Sequence, residues 1–502
     1  MHPVIHIPHP PRLGIVAGLG ARAAADLTAK LAAAARAAHG PDAPPPLASD
    51  APFAAAGVAG SAGSDQSARK LHVFDAARAL AADGAGAILL PCFLSHTFLD
   101  ELEPELPVPV VSMMTALRRF LAGQGGEGGR KVRIGVLTSD YARAHALFER
   151  HLGEAGELVY PAAGPQRAVM RAVYEAGGLK ADGVRQETLD VLAGACRDLL
   201  ARGADVIVPG VSEIAMAAGA LQGRGLPVAD AHALYARAAV AGAPAARRAG
   251  PFRLGIVGGV GPAATVDFMA KVVRNTPAGR DQDHLKLVVD QNPQIPDRTA
   301  HLAGAGPDPT LALYAACLRL QEAGAGLIAI PCNTAHAFIS RLQPRLAVPI
   351  VDMLAATADR ARALLPAGAA VGLLATDGTV RSRLYDAAFA ATGLGLVVPD
   401  AAHQRLVMEA IYGGDGIKAG RTEGACRDRL LAALRHLAGR GARAVVLGCT
   451  ELPLVLRGAD VDVDGLRLRL LDPTGILAQA CVARAAAHGA AESTPAAPAV
   501  AG

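Results

Sequence analysis

The sequence predicts an α/β protein built as a tandem duplication. Each half is expected to hold two pseudosymmetric parallel-sheet lobes with a ligand cleft between them. Three observations point there. Short apolar runs bounded by Gly and turn residues alternate with helical patterns, the signature of parallel sheets with right-handed crossovers. The chain also repeats itself at an offset near 240 residues. Within the second half a finer echo recurs: Gly255 precedes Cys332 by 77 positions, and Gly372 precedes Cys449 by the same interval.

The elements run in order along the chain. Leu13-Gly-Ile-Val-Ala-Gly-Leu-Gly20 is a strand and a glycine turn, matched by Leu254-Gly-Ile-Val-Gly-Gly-Val-Gly261. Pro91-Cys92 with His96 and Phe98 matches Pro331-Cys332 with His336 and Phe338. Ile134-Gly-Val-Leu-Thr138 matches Val371-Gly-Leu-Leu-Ala375, and Ser212-Glu213 matches Thr450-Glu451. The stretch after Asp472-Pro-Thr474 reads as a helix packing back on the first lobe of its own half. The boundaries predicted are a first domain over 12–240, a linker over 241–251, a second domain over 252–487, and disordered tails over 1–11 and 488–502.

Composition narrows the function classes. The 502 residues are 52% hydrophobic and 19% charged, which fits a folded globular chain with large cores. Aromatics are 3% with no Trp, so the stacking platforms of a single-strand nucleic-acid binder are missing. The formal net charge of +4 is spread without a basic block, and no uncharged apolar run is long enough for a bilayer. Neither nucleic acid nor membrane is therefore an expected partner. Seven cysteines, an odd number with no CxxC, speak against a disulfide framework and for a reducing, cytoplasmic setting.

Two segments carry the chemistry. Cys332 follows the apolar run Leu327–Ile330, and Cys449 follows Ala444–Leu447, each ahead of small residues suited to a helix start. A single free cysteine is usually a small buried hydrophobe, which is the reading for Cys196, Cys317, Cys426 and Cys481. Two cysteines at equivalent strand ends of two repeats are different, because symmetry aims them at one cleft. A helix start would also favour thiolate. Zinc is the weaker reading of Cys332 and His336, since no four-ligand cluster forms, and no metal is expected. The turn Gly259-Val-Gly-Pro-Ala-Ala264 fits a loose dinucleotide pattern with Asp290 as the ribose acid, but glycines also simply turn a strand into a helix. Arg298, in a Pro-bounded loop, could clamp a carboxylate, and Lys418 lies on a loop of the second lobe.

Five motifs in order make the second half resemble the aspartate/glutamate racemase superfamily, most closely its aspartate racemase branch. They are Gly258-Gly-Val-Gly-Pro262, Asn292-Pro-Gln-Ile-Pro-Asp-Arg-Thr299, Pro331-Cys-Asn-Thr-Ala-His336, Leu373-Leu-Ala-Thr-Asp-Gly-Thr379 and Gly448-Cys-Thr-Glu-Leu452. Glu451 replaces the histidine usual in glutamate racemases. The resemblance implies a cofactor-independent racemase with Cys332 and Cys449 as acid–base thiols. It implies Arg298 and Lys418 at the side-chain carboxylate, and Asn333, Thr334, Thr376 and Thr450 at the α-carboxylate and amine. Gly259, Asn292, Tyr412 and Glu451 would support them. The substrate implied is a small dicarboxylic amino acid, aspartate or glutamate.

The first half resembles the same family with a damaged site. Cys92, Tyr174 and Lys180 remain, but Val211 stands where the second cysteine belongs, and Phe93-Leu-Ser95 replaces the Asn-Thr-Ala run. The arginine loop becomes Asp50-Ala-Pro-Phe-Ala-Ala-Ala56. This half is expected to be an intrachain pseudo-dimer partner or an effector site, with further homo-oligomerisation left open. Rival readings are a maleate isomerase or hydantoin racemase type of two-cysteine reaction, and a non-catalytic amino-acid-binding protein.

Overall fold

A computed structural model describes residues 12–49, 51–53, 66–124, 130–242 and 251–493. The chain divides into two compact units, Met1–Gly250 and Pro251–Gly502. Most of the expected linker, the 1–11 tail and the end of the other tail lie outside the described residues, as do Asp50 and positions 54–56 of the loop replacing the arginine segment.

The first unit holds β1 (Leu13–Ile15), β2 (Leu47–Ala48), β3 (Ala87–Leu89), β4 (Val110–Val111), β5 (Arg133–Thr138), β6 (Glu157–Val159) and β7 (Val206–Gly210). They form two all-parallel sheets, ordered β2-β1-β3-β4 and β6-β5-β7. The second unit holds β8 (Arg253–Gly258), β9 (Lys286–Gln291), β10 (Leu327–Ala329), β11 (Ala370–Ala375), β12 (Gly395–Val397), β13 (Ala442–Gly448), β14 (Asp460–Val463) and β15 (Leu466–Leu471). Its sheets are ordered β10-β8-β9 and β12-β11-β13-β15-β14. Each unit is thus two α/β lobes, and the apolar runs of the sequence are the buried central strands. Val371, Leu374, Ala444, Val445 and Val446 are fully buried, as a sheet covered on both faces requires.

Among the described residues, one pairing departs from the all-parallel expectation. β14 and β15 pair antiparallel, joined at Asp464 and Gly465, both with positive φ (53° and 80°). An Asp-Gly pair with two left-handed residues makes a hairpin turn whose twist suits its strands. The last helix, Pro473–Ser493, runs on past residue 488 into the stretch expected to lack structure. It packs through Leu477, Ala478 and Cys481 on the first lobe, against Leu254, Ile256 and Phe268. Lys271, buried there, is held by Asp267, Asp472 and the hydroxyl of Thr474.

Parallel strands bring β8 and β10 to a common carboxyl end, and β11 and β13 likewise. Those ends carry the residues singled out in the sequence.

Candidate functional site

Cys332 sits two residues beyond Ile330, with its N–H bonded to the Ile330 carbonyl at 2.7 Å. The chain then enters a 3-10 segment, Thr334–Phe338, rather than the α-helix start the sequence suggests. The reason is local. The Cys332 carbonyl accepts from the Ala335 N–H at 3.2 Å, and His336 Nδ1 lies 2.9 Å from the same oxygen. A ring nitrogen takes the place an α-helical N–H would fill. His336 Nε2 in turn accepts from the Met353 N–H at 3.0 Å, so both ring nitrogens are engaged and the zinc reading loses its histidine. Cys449 is likewise followed by a single 3-10 turn, Leu452–Leu454, with a proline in it. Neither thiol has an α-helix dipole behind it, so side chains must supply the electrostatics.

Those side chains converge from both lobes of the second unit. Thr334 Oγ1 lies 2.8 Å from Thr379 Oγ1 and 3.3 Å from Thr376 Oγ1. Thr299 Oγ1 donates to Thr376 Oγ1 at 3.1 Å, which ties the Arg298 segment to the second lobe. The Tyr385 hydroxyl donates to Asn333 Oδ1 at 2.5 Å, while Asn333 Nδ2 is buried with no acceptor among the described residues. The Tyr412 hydroxyl, at the rim, donates to Asp297 Oδ2 at 3.3 Å.

Cys332 and Cys449 are both buried, each 6% exposed. Arg298 lies alongside Cys332. Its guanidinium donates to the carbonyls of Ile295, Pro296 and Val260, and its Nε is buried without an acceptor among the described residues. Burial alone would lower the Arg298 pKa; the facing Cys332, then Asp297 and Tyr412, turn the shift upward. Tyr412 neighbours Arg298 on one side and Cys449 on the other. Burial pushes its hydroxyl up to about 12, Asp297 and Cys449 add to that, and Thr299 and Lys418 oppose it.

The second cysteine has a different neighbour. Its thiol donates to Glu451 Oε2 at 2.9 Å, and Glu451 Oε1 accepts from Lys418 Nζ at 2.8 Å. Thr450 Oγ1 is 3.4 Å from the same carboxylate. Burial, then the Glu451 carboxylate, hold the Cys449 thiol well above the ordinary thiol range. The Lys418 pKa would fall on burial, but Glu451, Cys449 and Tyr412 raise it.

Gly259 and Asn292 play a backbone part. Gly259 has φ 81°, and a Cβ there would run into the Asn292 backbone. A Cβ on Gly261 would lie 2.7 Å from Glu451 Oε1. Gly261 therefore lets the two lobes approach, while Gly259 lets two segments of the first lobe pack together. Asp290, the ribose acid of the dinucleotide reading, is instead paired with Arg319 at 2.6 Å.

The first unit keeps the frame of this site. A cleft there is lined by Cys92, Tyr174, Lys180, Val211, Ser212 and Glu213 among others. Lys180 faces Glu213 at 4.0 Å and lies over the Tyr174 ring at 5.8 Å. Sequence reasoning missed Arg69. This buried residue, at the start of the helix Ser67–Ala82, donates to Cys92 Sγ at 3.5 Å and to Gln66 at 2.7 Å. A guanidinium thus accompanies the thiol in both units, but from different elements, and no motif match could have found it.

The second unit is a two-lobed α/β structure with one buried cysteine just beyond a central strand of each lobe. The profile of the Asp/Glu/Hydantoin racemase family matches residues 16–239 and again 257–481, and the chain belongs to that family in both halves. It is 28% identical over 153 residues to the broad specificity amino-acid racemase RacX of Bacillus subtilis (strain 168), covering 29% of this chain and 64% of that protein. It is 34% identical over 167 residues to a glutamate racemase of Parafrankia sp. (strain EAN1pec), covering 31% of this chain and 55% of that protein. Among solved structures, the Picrophilus torridus aspartate racemase is 28% identical, covering 47% of this chain and 94% of that one, with a TM-score of 0.41. The chain spans between about half and two thirds of the length of the curated relatives it matches first. Among the described residues, no helix is long and apolar enough to cross a membrane.

Proposed function

We propose that the second unit racemises a small dicarboxylic amino acid, aspartate ahead of glutamate, without a cofactor. Membership of the racemase family supports an amino-acid racemase. What supports the mechanism is a chain of neighbours: Arg298 beside Cys332, Tyr412 beside both Arg298 and Cys449, and Glu451 accepting from the Cys449 thiol.

The two thiols have opposite neighbours. Cys332, beside a guanidinium, is the base that takes the α-proton from one face. Cys449, whose proton is held toward Glu451, delivers a proton to the other face. The step leaves Cys332 protonated and Cys449 as thiolate, which is the state needed for the opposite enantiomer. The pair therefore titrates as a unit.

As the α-proton leaves, charge builds on the α-carboxylate. Asn333 Nδ2, a buried donor without an acceptor among the described residues, is the group proposed to meet it, with the hydroxyls of Thr334 and Thr376, and with Thr450 from the other strand end. Lys418 takes the far carboxylate, shared with Glu451, and Arg298 fixes the Cys332 side of the cleft. Holding both ends of the substrate sets Cα between the sulfurs. The preference for aspartate rests on Glu451 in the place of a histidine.

The experiment is solvent deuterium entry at Cα of D- and L-aspartate and D- and L-glutamate. Entry with inversion supports racemisation. Turnover of maleate without exchange at an amino-acid Cα would replace this reading with isomerisation, and binding with no exchange would make the unit a binding protein.

A further inference from the structure

The first unit is not simply a damaged copy of the second, because its substitutions change one corner of the cleft as a set. In the second unit that corner is polar: Asn333 is bonded to Tyr385, and Thr334 to Thr376 and Thr379. The equivalent first-unit residues are Phe93, Phe148, Leu94, Ser139 and Ala142. The hydrogen bond between Asn333 and Tyr385 becomes a ring contact, with the Phe93 and Phe148 centroids 6.1 Å apart. Val211 adds a further apolar surface where the second thiol would be.

The opposite corner keeps its charge. Lys180, Tyr174 and Glu213 repeat Lys418, Tyr412 and Glu451, and a Cβ on Gly20 would lie 2.8 Å from Glu213 Oε1 just as one on Gly261 would from Glu451. The lysine is less committed than its counterpart, at 4.0 Å from its carboxylate against 2.8 Å. Cys92, beside Arg69, is half-buried, whereas the other six cysteines are buried.

A dicarboxylic amino acid does not suit this cleft. Its ammonium and α-carboxylate would meet Phe93, Leu94 and Val211, with Ser139 and Ser212 as hydroxyls in the same lining, and a charge buried against the apolar groups is costly. A ligand with one carboxylate and one apolar end matches both corners. We infer that the first unit binds a small monocarboxylate, its carboxylate at Lys180 and its apolar group against Phe93, Leu94 and Val211. The cleft is narrow, so the ligand that matches it is short. With one thiol and a valine opposite it, this cleft cannot pass a proton from face to face.

The test is calorimetric titration of isobutyrate into the full chain, with Lys180→Met and Lys418→Met variants. Saturable binding is expected in the wild type and in Lys418→Met. It should weaken about tenfold or more in Lys180→Met, the loss of one charge-assisted bond. Isobutyrate should also slow alkylation of Cys92, read as the mass of its peptide. Absence of saturable binding overturns the proposal, as does binding lost in Lys418→Met but kept in Lys180→Met. Aspartate binding to the Lys418→Met protein as tightly as isobutyrate would also overturn it. Exchange at Cα, measured on the same Lys180→Met protein, reports on the second unit alone. A failure there leaves the isobutyrate result standing.

Discussion

The Cys449 thiol donates to Glu451 at 2.9 Å, and the same carboxylate holds Lys418 at 2.8 Å. One acidic side chain thus keeps a proton on the sulfur and the ammonium in place. It sits two residues after the cysteine, and its approach requires glycine at position 261.

That contact yields a first prediction. Burial raises the Cys449 pKa most, and the Glu451 carboxylate raises it next. Glu451→Gln removes the second cause, so the thiol releases its proton at lower pH. The alkaline limb of the bell-shaped kcat/KM profile should move toward acid, with the acid limb moving less. A pH–rate profile with an unmoved alkaline limb would separate Glu451 from the titration of the pair.

Removing either thiol should stop inversion. Cys332→Ala and Cys449→Ala are each expected to lower racemisation by about 10²–10⁴-fold, the usual worth of a positioned acid or base. Cys92→Ala should leave the rate within about twofold, since Val211 stands where the second thiol would be. Loss of racemisation in Cys92→Ala would assign the reaction to the wrong half.

The buried pair of Tyr385 and Asn333 gives a third test. Tyr385→Phe leaves the Asn333 oxygen without its donor, at a cost of about 1–3 kcal/mol in urea unfolding. The amide is then free to turn, so kcat/KM should fall as well. In the first unit Phe148→Tyr should give no such gain, because Phe93 offers no acceptor.

Alkaline stability offers a fourth. Burial pushes Cys196, Cys317 and Cys481 up to about 12 from the ordinary 9.0. The unfolded chain loses these protons as the pH passes the ordinary value, while the folded chain keeps them. Stability from each thiol is therefore full below that value and is lost as pH rises toward the folded one, at about 1.4 kcal/mol per pH unit. Urea midpoints between pH 8 and pH 10.5 should fall, and Cys317→Ala should flatten the slope by about one thiol's share.

Much of this was legible in the sequence because it is written in periodic signals. The duplication, the parallel strands and the two strand-end cysteines all leave apolar runs and matched motifs. The hairpin over Asp464 and Gly465 was also there to be found, in an Asp-Gly pair flanked by alternating residues. Other features were not. The 3-10 segment after Cys332 exists because His336 takes a carbonyl that a helix would use, a competition no propensity records. Arg69 reaches Cys92 from a helix outside every motif, so only folding brings them together. Arg298, expected to face substrate, spends much of its guanidinium on three backbone carbonyls, which local sequence gives no means to foresee.

A self-paired enzyme made from one gene carries every substitution twice, once on each side of its axis. Here the copies are written separately along a single polypeptide. Valine at 211 and the phenylalanine pair at 93 and 148 therefore alter one cleft and spare the other. Covalent fusion lets the two sites drift toward different ligands while being made in equal numbers and inherited together.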